Sequence, residues 1–116
     1  MTTIPSVDSL FADKDARLRP IYDRLIKSLR AFGPVNESAK QTSIHLEKHS
    51  GFAGVHPKKS YINLEFRVDY AIDDPRITRR QQLSTRRYEH TVKLQNESDI
   101  DTQLLKWLRD AYDLGK

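Results

Sequence analysis

The residues best equipped for chemistry in this chain are arginines clustered late in the sequence. Arg76, Arg79, Arg80, Arg86, Arg87 and Lys93 face a single acid, Glu89, over that stretch. The stretch therefore carries a local charge of +5, and with a total of +4 the remainder sums to −1. A guanidinium offers a planar fork of donors that suits phosphate or carboxylate oxygens, so an arginine cluster without acidic compensation points to an anionic partner. The candidate anion-binding set is Arg79, Arg80, Arg86 and Arg87, with Lys58 and Lys59 as a second basic pair. The two arginine pairs are seven residues apart, which helical turns would return to one side and an extended chain would separate. The expected partner is nucleic acid or an acidic protein surface. Tyr88 is the only adjacent aromatic, so contact with nucleic acid would be mainly electrostatic.

Four histidines supply the other candidates. His45 and His49 share a helical spacing, but the local pattern has a period of two. On a strand they would stand about 13 Å apart, too far to chelate one ion. His56 falls in a turn, and no metal is expected. His90 lies between Tyr88 and Val92 on the apolar side of the last strand. It is either a buried, hydrogen-bonded histidine or a general base beside Arg87 and Glu89. With Arg67 it defines a candidate pocket, and the alternative reading is a small enzyme or small-ligand-binding domain built around it. No serine sits in a nucleophile elbow and no carboxylates are paired for acid–base work. With only four glycines there is neither a phosphate-binding loop nor a dinucleotide fingerprint, so no cofactor is expected and the reading leans against an enzyme. Gly51-Phe52-Ala53-Gly54, followed by Lys58 and Lys59, is similar to the Gly-x-x-Gly loop of RNA-binding KH domains. That loop joins helices, whereas the flanks here read as strands, which favours a hairpin.

Positioning these groups requires a scaffold whose periodicities are legible. Ser6 can cap a short turn over Val7–Phe11. Leu18, Ile21, Tyr22, Leu25, Ile26, Leu29 and Phe32 recur at helical spacing, with Pro20 tolerated in the first turn and Gly33-Pro34 ending the helix. Alternation then predicts strands over Thr42–Lys48, Phe52–Val55, Tyr61–Val68 and Tyr88–Leu94. Ser98 or Asp99 caps a last helix carrying Ile100, Leu104, Trp107, Leu108, Ala111 and Tyr112, closed by Gly115. Trp107 and Tyr112 are core anchors. The expected architecture is α+β: an antiparallel sheet of four or five strands with the N- and C-terminal helices packed on one face. His45, Glu47, Glu65, Arg67, Glu89 and Lys93 fall on the other face. Residues 70–87 read as a long connection between the two best strands, with a short strand or helical turn allowed around Ile77–Leu83.

At 116 residues the chain suits one domain, with residues 1–9 loosely ordered. It is 37% hydrophobic and 31% charged, with a mean hydropathy of −0.71, which implies a thin core or one completed by a second copy, a homodimer. There is no cysteine, and the first residues lack the basic and apolar regions of a signal peptide. No apolar run is long enough to span a membrane. Those features predict a soluble cytoplasmic protein.

The segments YDRLIKSLRAFGPV, GFAGVHPKKSYINLEFRV, DPRITRRQQLSTRRYEHTVKL and DIDTQLLKWLRDAYDLG resemble a small bacterial family known as domain of unknown function 5655. Gly51-Phe52-Ala53-Gly54-Val55, and Trp107-Leu108 followed by Ala111-Tyr112, are its most specific pieces. The resemblance covers nearly the whole chain from about Leu10. It implies a bacterial module that occurs alone or attached to other domains, with no activity to carry over.

Overall fold

A computed structural model describes residues 4–114 of the chain. Its elements are α1 (Val7–Phe11), α2 (Leu18–Arg30), β1 (Asn36–Ala39), β2 (Ile44–Glu47), β3 (Gly51–Pro57), β4 (Ile62–Val68), β5 (Ile77–Ser84), β6 (Arg87–Leu94) and α3 (Thr102–Leu114), with a 3-10 turn over Glu97–Asp99. The strands form one antiparallel sheet in the order β1-β2-β3-β4-β6-β5. The helices cover one face, α3 lying on β3 and β4 with α2 beside it. This is the expected α+β arrangement, but the sheet has six strands rather than four or five.

The two added strands lack the apolar alternation by which a strand is recognised. In β1, the inward position opposite Leu46 holds Glu37 rather than an aliphatic residue. Its carboxylate is satisfied by the Tyr22 hydroxyl at 2.5 Å and by Arg30 at 3.1 Å. Burial and this carboxylate push the Tyr22 pKa far above its ordinary value. β5 occupies the opposite edge, and every residue after Ile77 is exposed, so no apolar periodicity was needed to form it. It divides the expected 70–87 connection into a crossing segment and a hairpin arm.

The helix boundaries follow their caps. Ser6 Oγ accepts from the Ser9 N–H at 3.0 Å while Ser9 Oγ accepts from the Ser6 N–H at 2.9 Å, a reciprocal capping box that starts α1. Pro20 is the third residue of α2, where no intrahelical N–H bond is lost. Gly33 has φ 152°, and a Cβ there would lie 2.5 Å from the Tyr112 hydroxyl, so no other residue fits the exit from α2. That hydroxyl donates to the Pro34 carbonyl at 2.9 Å, tying the exit to α3. The cap of α3 is Asp101, not Ser98 or Asp99: Asp101 Oδ1 accepts from the Leu104 N–H at 2.9 Å. Asp99 instead accepts from the Gln95 and Asn96 N–H groups and closes the 3-10 turn. Gly115, expected to close α3, lies outside the described residues, as do residues 1–3.

The core lies between the helices and the sheet. Ile62, Leu64, Phe66 and Val68 of β4 are fully buried on one side, as their alternation predicts. Leu18, Leu25 and Leu29 of α2 and Leu104 and Leu108 of α3 meet them with no exposure. Trp107, 7% exposed, stacks on Phe66 with ring centroids 6.1 Å apart. Trp107→Ala should lower unfolding free energy by about 3–5 kcal/mol, since no neighbour can refill the space of an indole. Urea denaturation checks this, and an unchanged midpoint would show that Trp107 carries no core load.

Candidate functional site

The helices leave the second sheet face uncovered, and strand register decides which side chains it displays. His45, Gly54, Glu65 and Thr91 form one cross-strand row, continued by Arg79 on β5. The next row toward the β6 N-terminus places Arg67 beside Glu89 and Gln81. On the other side, His56, Asn63 and Lys93 stand in line. His45, Glu47, Glu65, Arg67, Glu89 and Lys93 thus occupy the open face expected from their alternation. His56 Nε2 lies 3.3 Å from Glu65 Oε2, and Arg67 Nε lies 3.4 Å from Glu89 Oε2. Lys93 sits 4.4 Å above the Tyr61 ring.

The six basic candidates do not form one patch. Alternation along β5 puts Arg79 on the open face and Arg80 on the helix-covered face, opposite His90. Arg86 is in the β5–β6 turn and Arg87 opens β6 on the same side as Glu89. Lys58 and Lys59 lie in the β3–β4 turn, at the opposite end of the strands from Arg86 and Arg87, roughly 20 Å away along a seven-residue strand. There the Lys59 carbonyl accepts from the Asp15 N–H at 3.0 Å. Arg79, Arg86 and Arg87 share the hairpin arm and are exposed. None of them belongs to any of the ten ion pairs among the described residues. Arg76, a neighbour in sequence, is tied down: it grips Asp101 at 2.9 Å and the Asp99 carbonyl at 2.6 Å, fixing the start of α3.

Arg80 and His90 perform a structural task that spacing alone did not reveal. The connection from β4 must cross β6 to reach the edge position of β5. It does so on the helix side, where Ile72 is buried. The Ile72 N–H donates to His90 Nε2 at 3.0 Å, and the Ile72 carbonyl accepts from Arg80 Nη1 at 2.9 Å. These cross-strand partners therefore satisfy both polar groups of one buried peptide residue. His90 has no exposure and stacks on Phe66 at 5.4 Å. An Nε2 that accepts leaves the proton on Nδ1, which makes no hydrogen bond of good geometry although the Tyr88 carbonyl favours its charged form. Burial dominates and pushes the His90 pKa down, with the Arg80 charge acting in the same direction. Of the pair His90 and Arg67, only Arg67 reaches the open face. Sequence reasoning placed Glu65 on the open face but put His56 in a turn; His56 lies within β3, on the side of Gly54, and meets Glu65 there.

The family model for Domain of unknown function (DUF5655) matches residues 7–115, and the chain belongs to that family. No curated protein and no solved structure matches it.

The buried clamp has a pH signature. A lowered folded-state pKa means the unfolded chain takes up the proton first as pH falls, so stability should decline as pH drops through the ordinary histidine range near 6.5. His90→Gln keeps an acceptor for the Ile72 N–H but cannot titrate, and should flatten this decline between about pH 7 and 5. Denaturation midpoints across that range provide the measurement. An equal slope in the variant would assign the pH dependence to other groups.

Proposed function

We propose that the protein is a binding module whose β5–β6 hairpin engages the phosphate backbone of nucleic acid. The observation that carries this reading is the arm itself: three exposed guanidiniums, Arg79, Arg86 and Arg87, on one hairpin and none held by a carboxylate among the described residues. Elsewhere Arg17, Arg19, Arg30, Arg67, Arg76 and Arg109 have acidic partners, and Arg24 on α2 stands singly without one among the described residues. Concentrating unpaired like charge on a protruding edge costs self-repulsion, which a bound polyanion would relieve. β5 also departs from regular pairing at two places, between Ile77 and Arg79 and between Gln82 and Ser84. Irregularities and charges of this kind blunt an edge against adding another strand, which favours recognition by side chains over backbone pairing. Arg80 is excluded from the contact set because its guanidinium holds Ile72.

Binding of this kind is sequence-tolerant and falls with salt, by about 0.9 in log affinity per log salt for each phosphate contacted on duplex DNA. The test is a titration of labelled DNA and RNA at about 50 and 200 mM salt. Wild type is compared with a variant carrying Arg79→Ala, Arg86→Ala and Arg87→Ala. The variant should bind more weakly with a shallower salt dependence. Equal binding by the two proteins, or none by wild type at low salt, would remove the nucleic-acid reading.

A further inference from the structure

The middle of the open face holds a feature that the fold does not require. β3 is interior to the sheet, yet its open-face residue in the His45–Glu65 row is Gly54. Glycine weakens a strand interior, and where it occurs it marks a bulge, a tight bend or the close approach of a ligand or another backbone. Gly54 has an ordinary φ, since Gly33 alone among the described residues has a positive one. A Cβ at Gly54 would meet His56 Nε2 at 3.6 Å and Glu65 Oε2 at 4.0 Å, ordinary van der Waals contacts. The register is regular there: Gly54 pairs with both His45 and Glu65, and the shift in β2 falls between Leu46 and Glu47. Neither backbone conformation, crowding nor a bulge explains the missing side chain.

Its absence opens a depression of about 110 Å³ over β3, bounded by His45, His56, Glu65, Arg67 and Glu89. Past Gly51 it adjoins a second cavity of about 260 Å³ at the strand ends, and Arg67 and Arg87 line that one. The two adjoin at Gly51 and Arg67, and the groove they make runs from the open face round to the sheet end, where Ala111 and Leu114 of α3 also line it. The polar groups along it are incompletely used. Glu65 touches His56 through Oε2, and its Oε1 has no partner among the described residues. Arg67 reaches Glu89 through Nε alone, and Arg87 spends one Nη on the Arg86 carbonyl. One end thus offers a carboxylate acceptor above a flat floor between two imidazoles, and the other offers two open guanidinium forks.

We infer that this groove binds a nucleoside monophosphate carrying an amino-substituted base. The base lies over Gly54 between His45 and His56, and its amino group donates to Glu65 Oε1. The phosphate takes donors from Arg67 and Arg87. Arg67 is two residues along β4 from Glu65, about 6.6 Å between backbones, and the long Arg67 and Arg87 side chains must supply the rest of the span that a base and a pentose need. The groove shares Arg87 with the hairpin contact surface, but Arg79 and Arg86 do not line it.

The experiment is calorimetric titration of the full chain with adenosine 5′-monophosphate, adenosine, ribose 5-phosphate and inorganic phosphate. Adenosine monophosphate should bind at least roughly tenfold more tightly than each of the others. Gly54→Val fills the floor with a residue that strands favour, and should weaken that binding by about tenfold or more without lowering thermal stability. Arg67→Gln, an exposed change away from the core, should bring the monophosphate down to the affinity of adenosine. Paired Arg79→Ala and Arg86→Ala substitutions should leave nucleotide binding intact while weakening nucleic-acid binding, so the two sites fail separately. Wild-type binding no tighter than inorganic phosphate, or undiminished binding by both Gly54→Val and Arg67→Gln, would overturn the assignment.

Discussion

The stack of Trp107 on Phe66 and of Phe66 on His90 joins the helical layer to the centre of the sheet. Its three rings come from α3, β4 and β6, so it fixes which face of the sheet is dry. Period-two alternation does the rest. Once Phe66 points inward, Glu65 and Arg67 point outward, and register carries that choice to β3 and β6. A thin hydrophobic supply suffices because only one sheet face is buried. The same economy leaves an entire face free of structural duty.

Crossing β6 to reach the sheet edge is the topological difficulty of this fold, and the clamp on Ile72 resolves it. Where the crossing segment buries Ile72, its peptide groups leave water, and an unpaired one there costs about 1–3 kcal/mol. His90 supplies the acceptor and Arg80 the donor from adjacent strands, so one cross-strand pair completes the accounting. The neutral state of His90 belongs to this arrangement: a doubly protonated ring could not accept from Ile72 and would face the Arg80 charge. The residue with the most enzymatic appearance in the sequence is therefore a backbone anchor.

What could be read from the sequence was set by how far each element relies on apolar contact. α2, β4, β6 and α3 bury regular stripes, and their inward residues were identifiable one by one. β1 escaped notice because a glutamate, hydrogen-bonded to Tyr22, fills an inward site where an aliphatic residue would have signalled a strand. β5 could be read only as a short strand or a helical turn because every residue after Ile77 is exposed, and its pairing with β6 is a matter of backbone hydrogen bonds that leave no pattern. The basic cluster was visible as composition, but its division was not. Adjacent residues Arg79 and Arg80 have opposite fates once the segment is a strand, one on the open face and one at Ile72. Lys58 and Lys59 resemble the arginines in charge and lie at the far end of the sheet.

Two local costs coincide on the uncovered side of the molecule. Glycine in an interior strand forfeits packing and conformational restriction, and unpaired guanidiniums on one arm repel each other. Neither feature is fully repaid by a contact within the chain: only the His56 and Glu65 side chains come within 4 Å of where a Cβ of Gly54 would stand, and among the described residues Arg79, Arg86 and Arg87 meet no carboxylate. The core face shows the reverse, where Glu37, Arg80 and the Nε2 of His90 each have a partner that accounts for them. Local departures from what folding favours gather at functional surfaces, because function alone offsets them there. Their restriction to the face that the helices leave bare is the physical reason to look for ligands on that face.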